Sequence, residues 1–141
     1  MGIRRNETSP AARLKTLSYL DNVLARAQAR AAGADEALLL NTRGELACAA
    51  VANLFWIAGG RLYTPALECG VLEGIMRRQV LAAARALGIE TVETAAPRAA
   101  LDDAEALFLT NSLAGVRPVA ELDGRAFGDH RLVEAISSRC R

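Results

Sequence analysis

The spacing of apolar residues changes several times along the chain, and each change marks an element. From about Leu17 they recur at Leu20, Val23, Leu24, Ala27 and Ala31. That is the period of an amphipathic helix of about four turns, with Thr16 available to cap its start and Gly33 just past its end. Short β segments follow at Glu36–Leu40 and Leu46–Ala50, separated by a turn at Asn41-Thr42-Arg43-Gly44. Asn53–Ile57 and Arg61–Thr64 flank Gly59-Gly60, a two-residue hairpin signal because both positions tolerate positive φ. Together these segments suggest an antiparallel meander. Met76, Val80, Ala83, Ala84 and Leu87 form the inner stripe of a second helix, opened by Gly74 and stopped by Gly88. Beyond it the pattern predicts a strand at Glu90–Thr94, a helical turn at Leu101–Ala104 and a strand at Ala106–Thr110. Another strand spans Val116–Leu122, where Pro118 restricts it to an edge or a strand start, and Asp129–Ser138 makes a closing helix. Upstream, Ile3-Arg4-Arg5 reads as the end of a strand and Ser9-Pro10 as a turn. The alternation of strands and helices indicates an α/β or α+β globule.

Composition narrows the function classes more than the fold. At 141 residues and 52% hydrophobic content the chain suffices for one domain with a real core. The formal net charge is +1 with both signs interspersed, so neither nucleic acid nor an anionic membrane surface is indicated as a partner. A small molecule fits better. The longest apolar run, Leu46 to Gly60, is interrupted by Asn53 and falls short of the roughly 18 to 20 residues that span a bilayer. Three unpatterned cysteines (Cys48, Cys69, Cys140) and an N-terminus without an apolar signal region favour a reducing cytoplasm.

Candidate chemistry begins at Lys15, the sole lysine among 17 basic residues, all others being Arg. A guanidinium stays protonated, whereas an amine can lose its proton when desolvated and then attack a carbonyl. Lys15 follows the Ser9-Pro10 loop and stands at the N-terminal end of the first helix, where the helix dipole lowers an amine's pKa. Gly74-Ile75-Met76 opens the second helix with a glycine, an arrangement that suits a phosphate dianion.

Arg13-Leu14-Lys15-Thr16-Leu17-Ser18-Tyr19-Leu20-Asp21-Asn22-Val23-Leu24-Ala25 resembles the lysine segment of the class IV aminotransferase family, the fold-type IV pyridoxal-phosphate (PLP) enzymes. The resemblance continues through Gly33-Ala34-Asp35-Glu36-Ala37-Leu38-Leu39-Leu40, Ala52-Asn53-Leu54-Phe55-Trp56, Gly70-Val71-Leu72-Glu73-Gly74-Ile75-Met76-Arg77 and Phe108-Leu109-Thr110-Asn111-Ser112-Leu113, in order and over nearly the whole chain. It implies the C-terminal domain of the D-amino-acid-aminotransferase-like PLP fold, α/β with an α+β barrel-like form. The cofactor would be pyridoxal 5'-phosphate, and the partners a small amino-acid or aminodeoxychorismate substrate and a second copy in a homodimer. Residues 1–141 would be one cofactor-binding domain, with the family's N-terminal domain absent, so this chain alone would be incomplete.

By the same resemblance Lys15 carries the cofactor and shuttles the substrate's Cα proton. Backbone amides at Gly74, Ile75 and Met76 hold the phosphate, and the Asn111 and Ser112 amides with the Ser112 hydroxyl complete the cradle. Many relatives carry Thr where Ser112 stands. Tyr19, one helical turn after Lys15, matches a tyrosine that in some relatives bonds the ring oxygen. Asn53 reads as a hydrogen bond that ties down a neighbouring loop. The departure is Cys48, at the position where relatives carry the Glu that keeps the pyridine nitrogen protonated. A neutral thiol replaces that charge poorly. Glu45 is three residues away, and an odd shift along a strand reverses the side chain's face unless a bulge intervenes. His130 reads as exposed, and Asp102, Asp103 and Glu105 as a solvated acidic turn rather than metal ligands. The motifs lie closest to 4-amino-4-deoxychorismate lyase, with a branched-chain or D-amino-acid transaminase as the alternative and a non-catalytic degenerate domain as a further one.

Overall fold

The computed structural model describes residues 4–8 and 20–140. Its centre is a five-stranded mixed sheet in the order β5-β4-β3-β6-β7, built from β3 (Asn53–Ala58), β4 (Arg61–Pro65), β5 (Thr91–Thr94), β6 (Ala106–Asn111) and β7 (Gly115–Pro118). The β3–β4 hairpin turns on Gly59 and Gly60 as expected, with φ of 58° and 73°. Two positive-φ residues match the strands' right-handed twist, and glycine adopts them without Cβ strain. Helix α2 (Ile75–Ala86) then crosses over and returns the chain as β5, parallel to β4. Gly88, with φ of 75°, ends α2 where expected.

Side chains alternate along β3 and β6, and the two faces bury different partners. On one face Phe55 and Phe108 stack with ring centroids 5.0 Å apart, packed with Ile57, Val80 and Ala84 of α2 and Val133 and Ile136 of α3 (Arg131–Arg139). The opposite face carries Leu54, Trp56, Leu107 and Leu109.

Several sequence expectations are corrected. The antiparallel meander is interrupted: β1 (Leu38–Leu40) and β2 (Leu46–Ala49) pair antiparallel, as do β3 and β4, but β1 and β2 make a separate two-stranded sheet. An Ala50-Val51 turn, closed by the Ala49–Ala52 bridge, separates β2 from β3. The strand expected over Val116–Leu122 breaks after the edge strand β7, and Glu121–Leu122 (β8) pairs instead with Arg125–Ala126 (β9). The Asp123-Gly124 turn, with φ of 48° and 85°, is itself a hairpin signal and decides that break. The helical turn expected at Leu101–Ala104 is the end of a 3-10 helix at Arg98–Asp103, with Ala104 as its C-cap.

Helix α1 is described from Leu20 to Ala31, so its expected start at Leu17 lies outside the described residues. Its expected inner stripe is reversed. Val23 and Leu24 are 54% and 45% exposed, and Ala27 and Ala31 also face solvent. Ala25 is the buried residue, and Asn22 turns inward to donate to the Ala50 carbonyl at 2.6 Å. In α2, Arg77 takes the inner position expected of Met76, and Leu87 is 38% exposed.

Candidate anion-binding site at the start of helix α2

Asn53 and Thr110 are cross-strand partners at the end of the sheet, on the face that carries Phe55 and Phe108. Asn53 performs the tie expected of it: its Nδ2 donates to the Leu72 carbonyl at 2.9 Å and holds the segment that enters α2. Gly74, the residue preceding the helix, has an ordinary extended backbone at φ −72° and ψ 153°, so conformation does not require glycine there. Space does. A Cβ on Gly74 would lie 2.6 Å from Asn53 Oδ1. The helix start bears no side-chain cap, which leaves the first-turn amides at Ile75, Met76 and Arg77 aimed outward with the positive end of the helix dipole.

Arg77 anchors this end of the helix. The guanidinium is 2% exposed, and its Nη2 donates to the Pro65 carbonyl at 3.2 Å and to Glu93 Oε1 at 2.6 Å. Sequence reading assigned Arg77 no role, although its spacing from Val80, Leu81 and Ala84 puts it on the inner stripe. Thr110 likewise carries no distinguishing signal in the sequence. Its hydroxyl is buried with no partner, whereas the other buried threonine on this sheet, Thr64, donates to the Leu54 carbonyl at 2.7 Å.

The β6–β7 turn completes the rim. Asn111 Nδ2 donates to the Val51 carbonyl at 3.1 Å, while its Oδ1 accepts from the amides of Leu113 and Ala114 at 3.0 and 2.7 Å. The Asn111 side chain is therefore spent on shaping the turn. Ser112 stands exposed in that turn, two positions beyond Thr110. Ile75 is 59% exposed and Met76 half-buried.

Cys48 sits elsewhere, opposite Leu39 in the small sheet, buried with Ala47 and with Ala25 of α1. Burial pushes its thiol up to about 11, so the sulfur stays neutral. A register shift between Leu39 and Leu40 does bulge the β1–β2 pairing. Glu45 is nonetheless committed, accepting from Asn41 Nδ2 at 2.9 Å and Arg43 Nε at 2.8 Å, and those contacts hold its carboxyl below the usual range.

Residues 4–8 are bolted to the same turn. Arg5 donates its amide to the Leu40 carbonyl at 2.9 Å and its Nε to the Gly70 carbonyl at 2.7 Å. The Glu7 carboxylate accepts from the Thr42 hydroxyl and amide and from Arg43 Nη1. Gly70, at φ 88°, allows this close approach, since a Cβ there would lie 2.8 Å from Glu7 Cα. Lys15 and Tyr19 lie outside the described residues.

His130, expected to be exposed, is only partly so and caps α3: its Nδ1 accepts from the Leu132 amide at 3.2 Å, and Nε2 meets Glu105 Oε1 at 3.2 Å. Asp102 and Asp103 are exposed, and no cluster of metal-ligating side chains occurs among the described residues. An open cleft of about 590 Å³ runs between residues 32–38 and 117–124, across the sheet from α2, on the side of Leu54 and Leu107. It is not the site at the helix start.

A glycine-entered, uncapped helix facing two polar strand ends is a candidate anion seat on an α/β domain, and comparison with known proteins supplies the domain's class. The family model for amino-transferase class IV matches residues 2–122, and the chain belongs to that family. It is similar to a branched-chain-amino-acid aminotransferase of Pseudomonas aeruginosa, 36% identical over 114 residues, which make up 81% of this chain and 37% of the relative. Similarity to an aminodeoxychorismate lyase of Bacillus subtilis is 30% over 128 residues, 91% of this chain and 44% of that one. The crystal structure of an aminotransferase from Brucella abortus bound to PLP superposes with a TM-score of 0.91 at 26% identity, covering 99% of this chain and 50% of that one. The chain thus spans about two fifths of the curated relatives' length and half of the solved chain.

Proposed function

We propose that this chain forms the phosphate-binding part of a PLP-dependent class IV enzyme and that the enzyme is a 4-amino-4-deoxychorismate lyase, releasing pyruvate to leave p-aminobenzoate. The observation that carries the cofactor reading is the cradle at α2: a helix start with no side-chain cap, entered through a glycine whose missing Cβ makes room against Asn53. The residues present fit the group. The amides of Ile75 and Met76 would take phosphate oxygens, with the turn after Asn111 and the Ser112 hydroxyl closing the other side. PLP supplies an aldehyde that condenses with amines and a ring that draws electrons from the substrate's Cα.

By the family resemblance Lys15 would hold the cofactor's aldehyde carbon through Nζ and would move the proton at the substrate's Cα. Tyr19 would bond the ring oxygen, and the position of Cys48 would offer the ring nitrogen a neutral group in place of a carboxylate. The preference for lyase rests on the motifs around Lys15, Asn53 and Gly74, which resemble that enzyme most, and Cys48 adds to it: a thiol that stays protonated cannot lend the ring nitrogen a fixed negative charge. Elimination that promptly follows proton removal tolerates that loss better than amino transfer does. The Pseudomonas relative supports the second reading, a branched-chain transaminase. Residues 1–141 act as a single cofactor-binding domain in this reading, within a cytoplasmic homodimer.

Borohydride reduction of the PLP-loaded intact protein, followed by peptide mapping, should place the cofactor on Lys15. A loaded protein with unmodified Lys15 overturns the reading. Pyruvate release from aminodeoxychorismate, measured against amino transfer to 2-oxoglutarate, decides between lyase and transaminase.

A further inference from the structure

Buried hydroxyls are paired in folded proteins, and one left without a partner is destabilising. Thr110 is 1% exposed with an unpartnered Oγ1, while Thr64, buried in the same sheet, is satisfied. Three facts place the Thr110 side chain at the mouth of α2. It lies on the face of β6 that carries Phe108, the face α2 covers. Its cross-strand partner is Asn53, and Asn53 Oδ1 occupies the space beside Gly74. Finally, the helix that starts there has no side-chain cap.

We propose that Thr110 is a binding residue for a phosphate-class dianion seated on the first turn of α2, with its hydroxyl donating to an anion oxygen from beneath while the helix amides donate from the side. Asn53 is the positioning residue that holds Leu72–Gly74 and keeps the seat open. This assignment deepens the cofactor reading and rests on it only for the identity of the phosphate's owner. The chemistry recognised is a phosphate monoester or free phosphate, and the two sources separate in the test.

The test measures binding of inorganic phosphate, PLP and unphosphorylated pyridoxal to the wild-type protein and to Thr110→Val, which keeps the side chain's shape and deletes the hydroxyl. A hydrogen bond to a charged group predicts a loss of about tenfold or more in affinity for phosphate and PLP. Pyridoxal should bind both proteins alike. In phosphate-free buffer the thermal midpoint of Thr110→Val should equal or exceed that of wild type, because an orphaned hydroxyl has been removed. Thr110→Ser, which keeps the hydroxyl on a smaller side chain, should restore phosphate binding.

Wild-type phosphate affinity in Thr110→Val overturns the proposal, as does equal loss in Thr110→Ser. Should Thr110→Val not fold, the comparison of Thr110→Ser with Thr110→Ala carries the same decision. Weakened phosphate binding together with an unlabelled Lys15 keeps the seat and removes the cofactor reading. Unchanged phosphate binding with a labelled Lys15 does the reverse.

Discussion

At the scale of single residues, the sharpest question is Cys48. Where the family resemblance implies a carboxylate, this chain has a thiol packed against Leu39, Ala47 and Ala25, which burial keeps neutral. In the absence of cofactor, Cys48→Glu forces a larger, chargeable group into that cluster and should cost at least about 3 kcal/mol. If residue 48 meets the ring nitrogen, adding PLP returns part of that loss, because the carboxylate then gains a cationic partner. Thermal midpoints with and without PLP check it: a larger PLP-induced rise in Cys48→Glu than in wild type supports the ring contact, and equal rises refute it. The family resemblance singles out Cys48 from sequence, but the apolar cluster around it depends on where α1 lands.

At the scale of elements, α2 is set by an asymmetric ion pair. The Arg77 side chain is 2% exposed and its partner Glu93 is 40% exposed. Removing Glu93 strands a buried guanidinium on one carbonyl, whereas removing Arg77 leaves a carboxylate that water can reach. Glu93→Ala should therefore cost about 2 to 3 kcal/mol and Arg77→Met about 1 kcal/mol or less, measured by urea unfolding. The opposite order would show that the pair does not anchor the helix. The 3.6-residue period located α2 and its glycine limits, because two turns of apolar residues admit few other readings. It did not locate the inner face of α1, where Asn22 and Ala25 turn inward and Val23 and Leu24 face out. A helix docked through polar groups breaks the rule that the apolar stripe points to the core.

At the scale of the whole molecule, two carboxylates hold together segments far apart in sequence and a third closes the β1–β2 turn. Glu7 bonds to Thr42, Glu45 to Asn41 and Arg43, and Glu105 to His130, and these contacts hold all three below the ordinary carboxyl value of 4.5. A depressed folded-state pKa contributes stability that is present above the unfolded value and disappears as pH falls through the folded one. Thermal midpoints should therefore hold above about pH 4.5 and drop below it. Glu7→Gln, which keeps the shape and removes the titration, should lower the neutral-pH midpoint and flatten the acid limb. An unchanged acid limb would show that the Glu7 contact with Thr42 does not join the termini of the sheet to residues 4–8.

The sequence alone determined the kind of protein. Local periodicity fixed the helices and the Gly59-Gly60 hairpin, Pro118 fixed an edge strand, and the ordered motifs placed the chain in its family, since each of these depends on neighbours within a few residues. Tertiary structure decided what those signals leave open. Whether β2 continues into the main sheet depends on the Ala50-Val51 turn, and which face of α1 is buried depends on the Ala50 carbonyl that Asn22 reaches. The seat at α2 also emerges only in three dimensions. Asn53, Gly74 and Thr110 are distant in sequence, and only strand pairing brings the orphaned Thr110 hydroxyl beside the asparagine that guards the glycine.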